Sequence, residues 1–128
     1  MKISAAGRYA VRLMVDIAKK NDVVSLKEVA TNQNISIKYA EQIIRKLLKN
    51  GLLLSSRGQD GGYKLKKSLE EISVYDILVS TGDIQEEIAC FSESCPNLKT
   101  CVGVDVWASL NKKINDYLKS VNLKTLLK

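Results

Sequence analysis

Histidine is missing from this 128-residue chain, and with it the side chain most often used for general acid–base work near neutral pH. There is no nucleophile elbow, no glycine-rich loop joining a strand to a helix, and no acid–base pair at useful spacing, so no enzyme is expected. No apolar run approaches the roughly 18 residues of a membrane span. The N-terminal MKISAAGRYAVRLM lacks the apolar core and cleavage pattern of a signal peptide. The expectation is a cytoplasmic protein with no membrane partner. Cysteine is scarce and odd in number, three in all, which argues against a disulfide framework. Internal repeats and low-complexity segments are also absent.

What is plentiful is positive charge, and it is unevenly placed. Residues 1–67 hold 14 Lys and Arg against 5 Asp and Glu, a net of +9, while residues 68–128 are net −3. Asymmetry of that kind fits either a polyanion partner for the first half or a merely solvated basic surface. The length suits one domain, and the apolar fraction of 45% is ordinary for a globular chain.

Within the basic half, ISIKYAEQIIRKLLKNGLLLSSRGQDGGYKL reads as a helix, a stop and a ribbon. Ser36 is a good N-cap, since its hydroxyl can accept from a free first-turn N–H. Ala40, Ile43, Ile44, Leu47 and Leu48 form one apolar face. Lys38, Tyr39, Glu41, Gln42, Arg45, Lys46 and Lys49 take the opposite face, with side chains of the kind that read base edges or hold phosphate. Gly51 suits a left-handed helix stop. Leu52–Ser56 and Tyr63–Leu65 read as strands joined by a turn containing Gly58, Gly61 and Gly62. A polar-faced helix followed by a glycine-tipped basic hairpin is the pattern of a winged helix-turn-helix.

Upstream, residues 4–20 read as a helix with Val11, Met14, Ile17 and Ala18 on one face, broken at Asn21-Asp22. Ser25-Leu26-Lys27-Glu28 reads as a capping box opening a short helix to Gln33, with Leu26, Val29 and Ala30 inward. Two short helices so closely joined make the helix-turn-helix unit. Downstream, Ser73 can cap a helix through Thr81, which Gly82 ends. Residues 104–121 read as a long helix whose Trp107, Leu110, Ile114, Tyr117, Leu118 and Val121 form an apolar seam. That seam is expected to pack on a partner or on the first helix. The tail, NLKTLLK, adds a turn with Leu123, Leu126 and Leu127 to bury. The expected class is mainly α with a small β-hairpin wing (α+β). The organisation is a winged helix-turn-helix region at 1–82, a cysteine loop at 83–103 and a dimerisation helix with tail at 104–128.

Between the regular segments, residues 83–103 show no clean period. They hold Cys90, Cys95 and Cys101 in a C-x4-C-x5-C spacing, along with the only proline, Pro96. Clustered thiolates in a reducing compartment suit zinc or an iron–sulfur cluster, while isolated cytosolic cysteines are often small buried apolar residues.

Several segments then fall in a telling order: MKISAAGRYAVR, SLKEVA, ISIKYAEQIIRKLLKNGLL, RGQDGGYKL, ISVYDIL, and cysteines before DVWASLNKKI. In this the chain resembles the iron–sulfur cluster regulator family of bacterial winged-helix transcription factors, which includes IscR, NsrR and CymR. The likeness is greatest to IscR-like members with three cluster cysteines. It covers nearly the whole chain. It implies a homodimer joined through the long C-terminal helices, acting in transcription regulation, as a repressor, on a partly palindromic double-stranded operator. It implies that Ser36, Tyr39, Glu41, Gln42 and Arg57 lie against DNA. Glu41 could accept from cytosine N4, Gln42 could pair with adenine, and Arg57 could enter a narrow minor groove. Lys38, Arg45, Lys46 and Lys49 suit phosphate. Glu41 could instead pair with Arg45 at i+4, and Arg57 could be a solvated loop residue.

The resemblance also implies an iron–sulfur cluster, typically [2Fe–2S], on Cys90, Cys95 and Cys101, labile enough to be absent from purified protein. Two departures affect a fourth ligand. Where some members carry histidine three residues after the last cysteine, this chain has Val104. Where others use an aspartate near the partner's N-terminus, it has Arg8. Asp105, Glu93, Glu87, a small thiol or water remain as candidates. Some relatives lack cluster cysteines and answer to a partner protein of cysteine metabolism, which leaves a clusterless regulator as an alternative. A protein-binding winged helix is a third reading.

Overall fold

Serine hydroxyls set where the first four helices begin. The computed structural model describes residues 2–84 and 95–127. Helix α1 (Ala5–Lys20) starts behind Ser4, whose Oγ accepts from the Gly7 N–H at 3.0 Å. Helix α2 (Leu26–Gln33) starts behind Ser25, and α3 (Ile37–Lys49) behind Ser36, whose hydroxyl accepts from the Tyr39 N–H at 3.0 Å. Each cap occupies a donor that the first helical turn leaves free, a contribution of about 1 kcal/mol. Left-handed residues stop these helices: Gly51 at φ 75°, as expected, and also Asn21 at φ 50° and Asn34 at φ 55°. The chain then runs through strands β1 (Leu53–Ser56) and β2 (Gly62–Leu65), helix α4 (Val74–Thr81), helix α5 (Val104–Ser120) and a last turn, α6 (Leu123–Leu126).

One cap differs from its expected form. At Ser25 the backbone half is made, but the Glu28 carboxylate turns to the Lys20 ammonium instead of back to the cap. A nearby cation outcompetes a neutral amide for a carboxylate. The reciprocal box forms at Ser73, where the hydroxyl accepts from the Asp76 N–H at 3.1 Å and the Asp76 carboxylate accepts from the Ser73 N–H at 3.0 Å.

Helix α1 is the centre of the packing. Ala10, Leu13, Met14 and Ile17 are buried, and α1 touches α2, α3, α4, β2 and α6. Val29, Ile43, Ile44, Leu47, Leu53, Ile72 and Ile77 close around it. Each such side chain contributes about 1.5–3 kcal/mol on leaving water. The C-terminal end joins the same core. Leu123 is fully buried, its N–H donates to the Ile72 carbonyl at 3.0 Å, and the Val74 N–H donates to the Val121 carbonyl at 2.8 Å. Of the tail leucines expected inside, Leu127 packs against the core but Leu126 stays 37% exposed. The turn that buries Leu123 carries Leu126 to the outer side.

The wing is a two-stranded antiparallel sheet with Leu53 opposite Leu65 and Ser56 opposite Gly62. A third rung was not expected. The Val24 N–H donates to the Tyr63 carbonyl and the Tyr63 N–H donates to the Val24 carbonyl, both at 2.8 Å. The segment between α1 and α2 thus ties the wing to the head. Gly62 permits this approach, because a β-carbon there would lie 2.2 Å from the Val24 carbonyl oxygen.

Helix α5 stands apart in that none of its residues is buried. Its main contact within the chain is α4, not the first helix. The Lys119 ammonium also sits 4.6 Å from the centre of the Tyr75 ring. Trp107, Leu110 and Tyr117 remain 47%, 49% and 66% exposed. Half of the apolar seam is therefore left open within this chain among the described residues, while Ile114, Leu118 and Val121 are half-buried.

Candidate nucleic-acid interface

The turn between α2 and α3 is short because Asn34 is left-handed and the Ile35 N–H reaches back to the Ala30 carbonyl at 3.1 Å. That fixes α3 across α2 and turns the charged face outward. Lys38, Gln42, Arg45, Lys46 and Lys49 are all exposed along it. Ser36 is exposed too; its oxygen caps the helix while its proton stays available. Across the wing, Arg57 lies exposed at the hairpin tip. There the Gly61 N–H donates to the Gly58 carbonyl at 3.1 Å, and Gly58 adopts φ 112°. A side chain is absent where the tip folds on itself, since a β-carbon on Gly61 would sit 2.3 Å from the Ser56 carbonyl.

Two candidate readers sit differently from their sisters. Glu41 makes the i+4 ion pair with Arg45 at 2.7 Å. The side chains are 46% and 75% exposed, so the pair is solvated and worth only about 0.3–0.5 kcal/mol. An incoming duplex can exchange it cheaply. Tyr39, expected on the outward face, is half-buried. Its ring meets Tyr9 of α1 edge-on, centroids 5.9 Å apart and planes 83° apart. Tyr39 lies at the margin of the polar face, and an aromatic ring there gains more from a second ring than from water.

One polar cluster was not anticipated. The Asp83 carboxylate accepts from the Ser4 N–H at 2.8 Å, the Ser4 hydroxyl at 2.9 Å and the Thr81 hydroxyl at 2.6 Å. It fills the space over Gly7, where a β-carbon would lie 2.2 Å from its Oδ2. Partial burial alone would raise the Asp83 pKa. The hydroxyls, the amide and the charge of Lys46 on α3 outweigh it and hold the carboxyl below its ordinary value. Asp83 thus ties the start of α1 to the end of α4, at the point where the cysteine segment begins. No local pattern marks a contact between residues so far apart in sequence.

Of the cysteines, Cys90 lies outside the described residues. Cys95 is half-buried, Cys101 is exposed, and both are free. The segment between them is wound by a Leu98 N–H to Cys95 carbonyl bond at 3.3 Å and a Cys101 N–H to Asn97 carbonyl bond at 2.8 Å. It runs into α5 through Gly103, whose β-carbon position would be 3.6 Å from Cys101 Sγ and 3.1 Å from the Trp107 indole nitrogen. Among the described residues, no three His, Cys, Asp or Glu side chains group closely enough to hold a metal ion. No helix among them is long and apolar enough to cross a membrane.

A helix-turn-helix with an outward basic helix, beside a two-stranded wing, defines a winged helix-turn-helix regulator. Comparisons with known proteins agree. IscR of Pectobacterium atrosepticum is 35% identical over 99% of this chain and 79% of its own length. The solved structure of CymR, the global cysteine regulator of B. subtilis, superposes with a TM-score of 0.81 at 30% identity, covering 99% of this chain and 96% of that one. IscR of T. potens gives 0.78 at 34% identity, over 99% and 86%. A family model described as Rrf2, iron-dependent transcriptional regulator, matches residues 3–128, and the chain belongs to that family. It is a DNA-binding transcriptional regulator and not an enzyme.

Proposed function

We propose that the chain acts in the cytoplasm as a homodimeric repressor on a partly palindromic operator, its binding modulated by a [2Fe–2S] cluster on Cys90, Cys95 and Cys101. The observation that carries this reading is α5. It leaves Trp107, Leu110 and Tyr117 of its apolar seam exposed, and it begins where the thiol-bearing turn ends. A second copy is the occupant that buries such a seam and sets two heads at a fixed separation, as a two-fold operator requires. In each head Ser36, Tyr39, Glu41 and Gln42 face the bases and Arg57 the minor groove, while Lys38, Arg45 and Lys46 bind phosphate. Tyr39, with its ring against Tyr9, contributes through its hydroxyl.

The donor set suits the cluster in its chemistry. Two free, reachable thiols share one hydrogen-bonded turn, and no histidine competes. The cluster would supply a redox- and iron-sensitive crosslink. Asp105, exposed in the first turn of α5, is the described candidate for a fourth ligand; Glu87 and Glu93 lie outside the described residues. Regulation requires that the cluster-bound turn favour one spacing of the heads over another. Anaerobic reconstitution should yield iron and sulfide with visible absorption in the wild type, lose both in Cys95→Ala, and shift operator affinity only in the wild type. Equal affinity with and without the cluster on every operator would remove the cysteines from regulation. That result would favour a clusterless regulator under a partner protein, the reading to which the likeness to CymR lends weight.

Base reading has its own test. Glu41→Ala should relax base preference by about 1–3 kcal/mol at one position of each half-site. Lys46→Ala should weaken all sequences alike and flatten the salt dependence. Titrations of cognate and scrambled duplexes at two salt concentrations separate the two, and an unaltered preference in Glu41→Ala excludes it as a reader.

A further inference from the structure

We propose that Arg12 of α1 is an additional DNA-backbone contact, held in place by the Tyr9–Tyr39 ring pair, so that the interface extends beyond the recognition helix and wing onto α1. This rests on the DNA-bound orientation of α3 described above. The first observation is a partner that Arg12 does not take. Asp16, one turn on, is its natural i+4 acid, but the Asp16 carboxylate accepts from the Gln33 side-chain amide on α2 instead. Among the described residues Arg12 has no acidic partner.

The second observation is where Arg12 goes. Its guanidinium carbon sits 5.3 Å from the centre of the Tyr9 ring, back toward the start of α1, while the side chain stays exposed. Tyr9 in turn meets Tyr39 edge-on at 5.9 Å. A stacked guanidinium keeps its N–H donors free at the rim and loses little further freedom on binding, so it is pre-organised for a phosphate. Arg8 is exposed one turn earlier on the same face. Two like charges at i,i+4 disfavour the isolated helix and are relieved by a polyanion.

Position supports the same occupant. Tyr39 follows Lys38 in the first turn of α3, beside the Ser36 cap. Two steps of 5.9 and 5.3 Å lead from Tyr39 to Arg12. A strand offers a phosphate about every 3.4 Å of helix axis, so Arg12 meets a further phosphate and does not compete for the one near α3. It adds affinity without base information.

Arg12→Gln keeps a planar group over Tyr9 and drops the charge; Arg12→Lys keeps the charge. Duplex titrations from low to moderate salt should show Arg12→Gln weaker by about 3- to 10-fold on cognate and scrambled duplexes alike, with the log–log salt slope reduced by about one. Arg12→Lys should restore the slope, and both variants should melt with the wild type. A wild-type slope in Arg12→Gln, or weaker binding that tracks a lower melting temperature, overturns the assignment. If the wild type itself showed no salt-dependent duplex binding, the orientation of α3 would fall instead.

Discussion

Leu110→Glu is expected to convert the protein to single chains and to lower operator affinity by about 100-fold or more. Leu110 is 49% exposed within the chain, so a carboxylate there costs the isolated head little. Across the proposed two-fold seam the same residue would face its own copy or a near neighbour, and two carboxylates would lose water together. Once the heads separate, each half-site is bound alone, and the effective concentration that one docked head gives the other is lost; such linkage is worth about 10²–10⁴ in affinity. Light scattering and duplex titration read both parts. A variant that stayed dimeric, or bound as tightly as single chains, would contradict the role given to α5.

Gly62→Ala should cost the folded state about 2–4 kcal/mol, among the largest effects of any one-methyl change in this chain. The added carbon would lie 2.2 Å from the Val24 carbonyl oxygen and 2.6 Å from its carbon, both backbone atoms. A flexible side chain could swing aside; a backbone cannot without giving up the two 2.8 Å bonds between Val24 and Tyr63. The wing would then detach from the α1–α2 segment and Arg57 would lose its bearing on α3. Chemical denaturation measures the first effect. The second appears as a drop in affinity that Arg57→Ala no longer deepens. A melting temperature equal to the wild type's would show that the rung contributes nothing.

The parts of the fold legible in the sequence are those with local causes. Ser25, Ser36 and Ser73 cap helices because a short hydroxyl reaches the next turn's amide whatever the tertiary structure. The glycines of the tip and the apolar rows of α1 and α3 are readable for the same reason. What escaped depends on distant groups. The Val24 rung is one residue long and shows no alternation. The Asp83 cluster joins residues 79 apart. Glu28 left its expected partner because Lys20, in another helix, stood closer. Tyr39 sits at the edge of an amphipathic face, where the sequence alone does not decide whether a ring turns to water or to Tyr9. The candidate site was legible to the same degree: the outward face of α3 and the Glu41–Arg45 alternative at i+4 follow from its period, whereas the tie from α1 to Tyr39 required the folded chain.

The most direct test is the native mass of the complex on a duplex selected from random sequence at low salt. Two chains on one duplex with two-fold related half-sites are predicted. One chain per duplex, or no complex at all, would contradict the account of paired heads joined along α5.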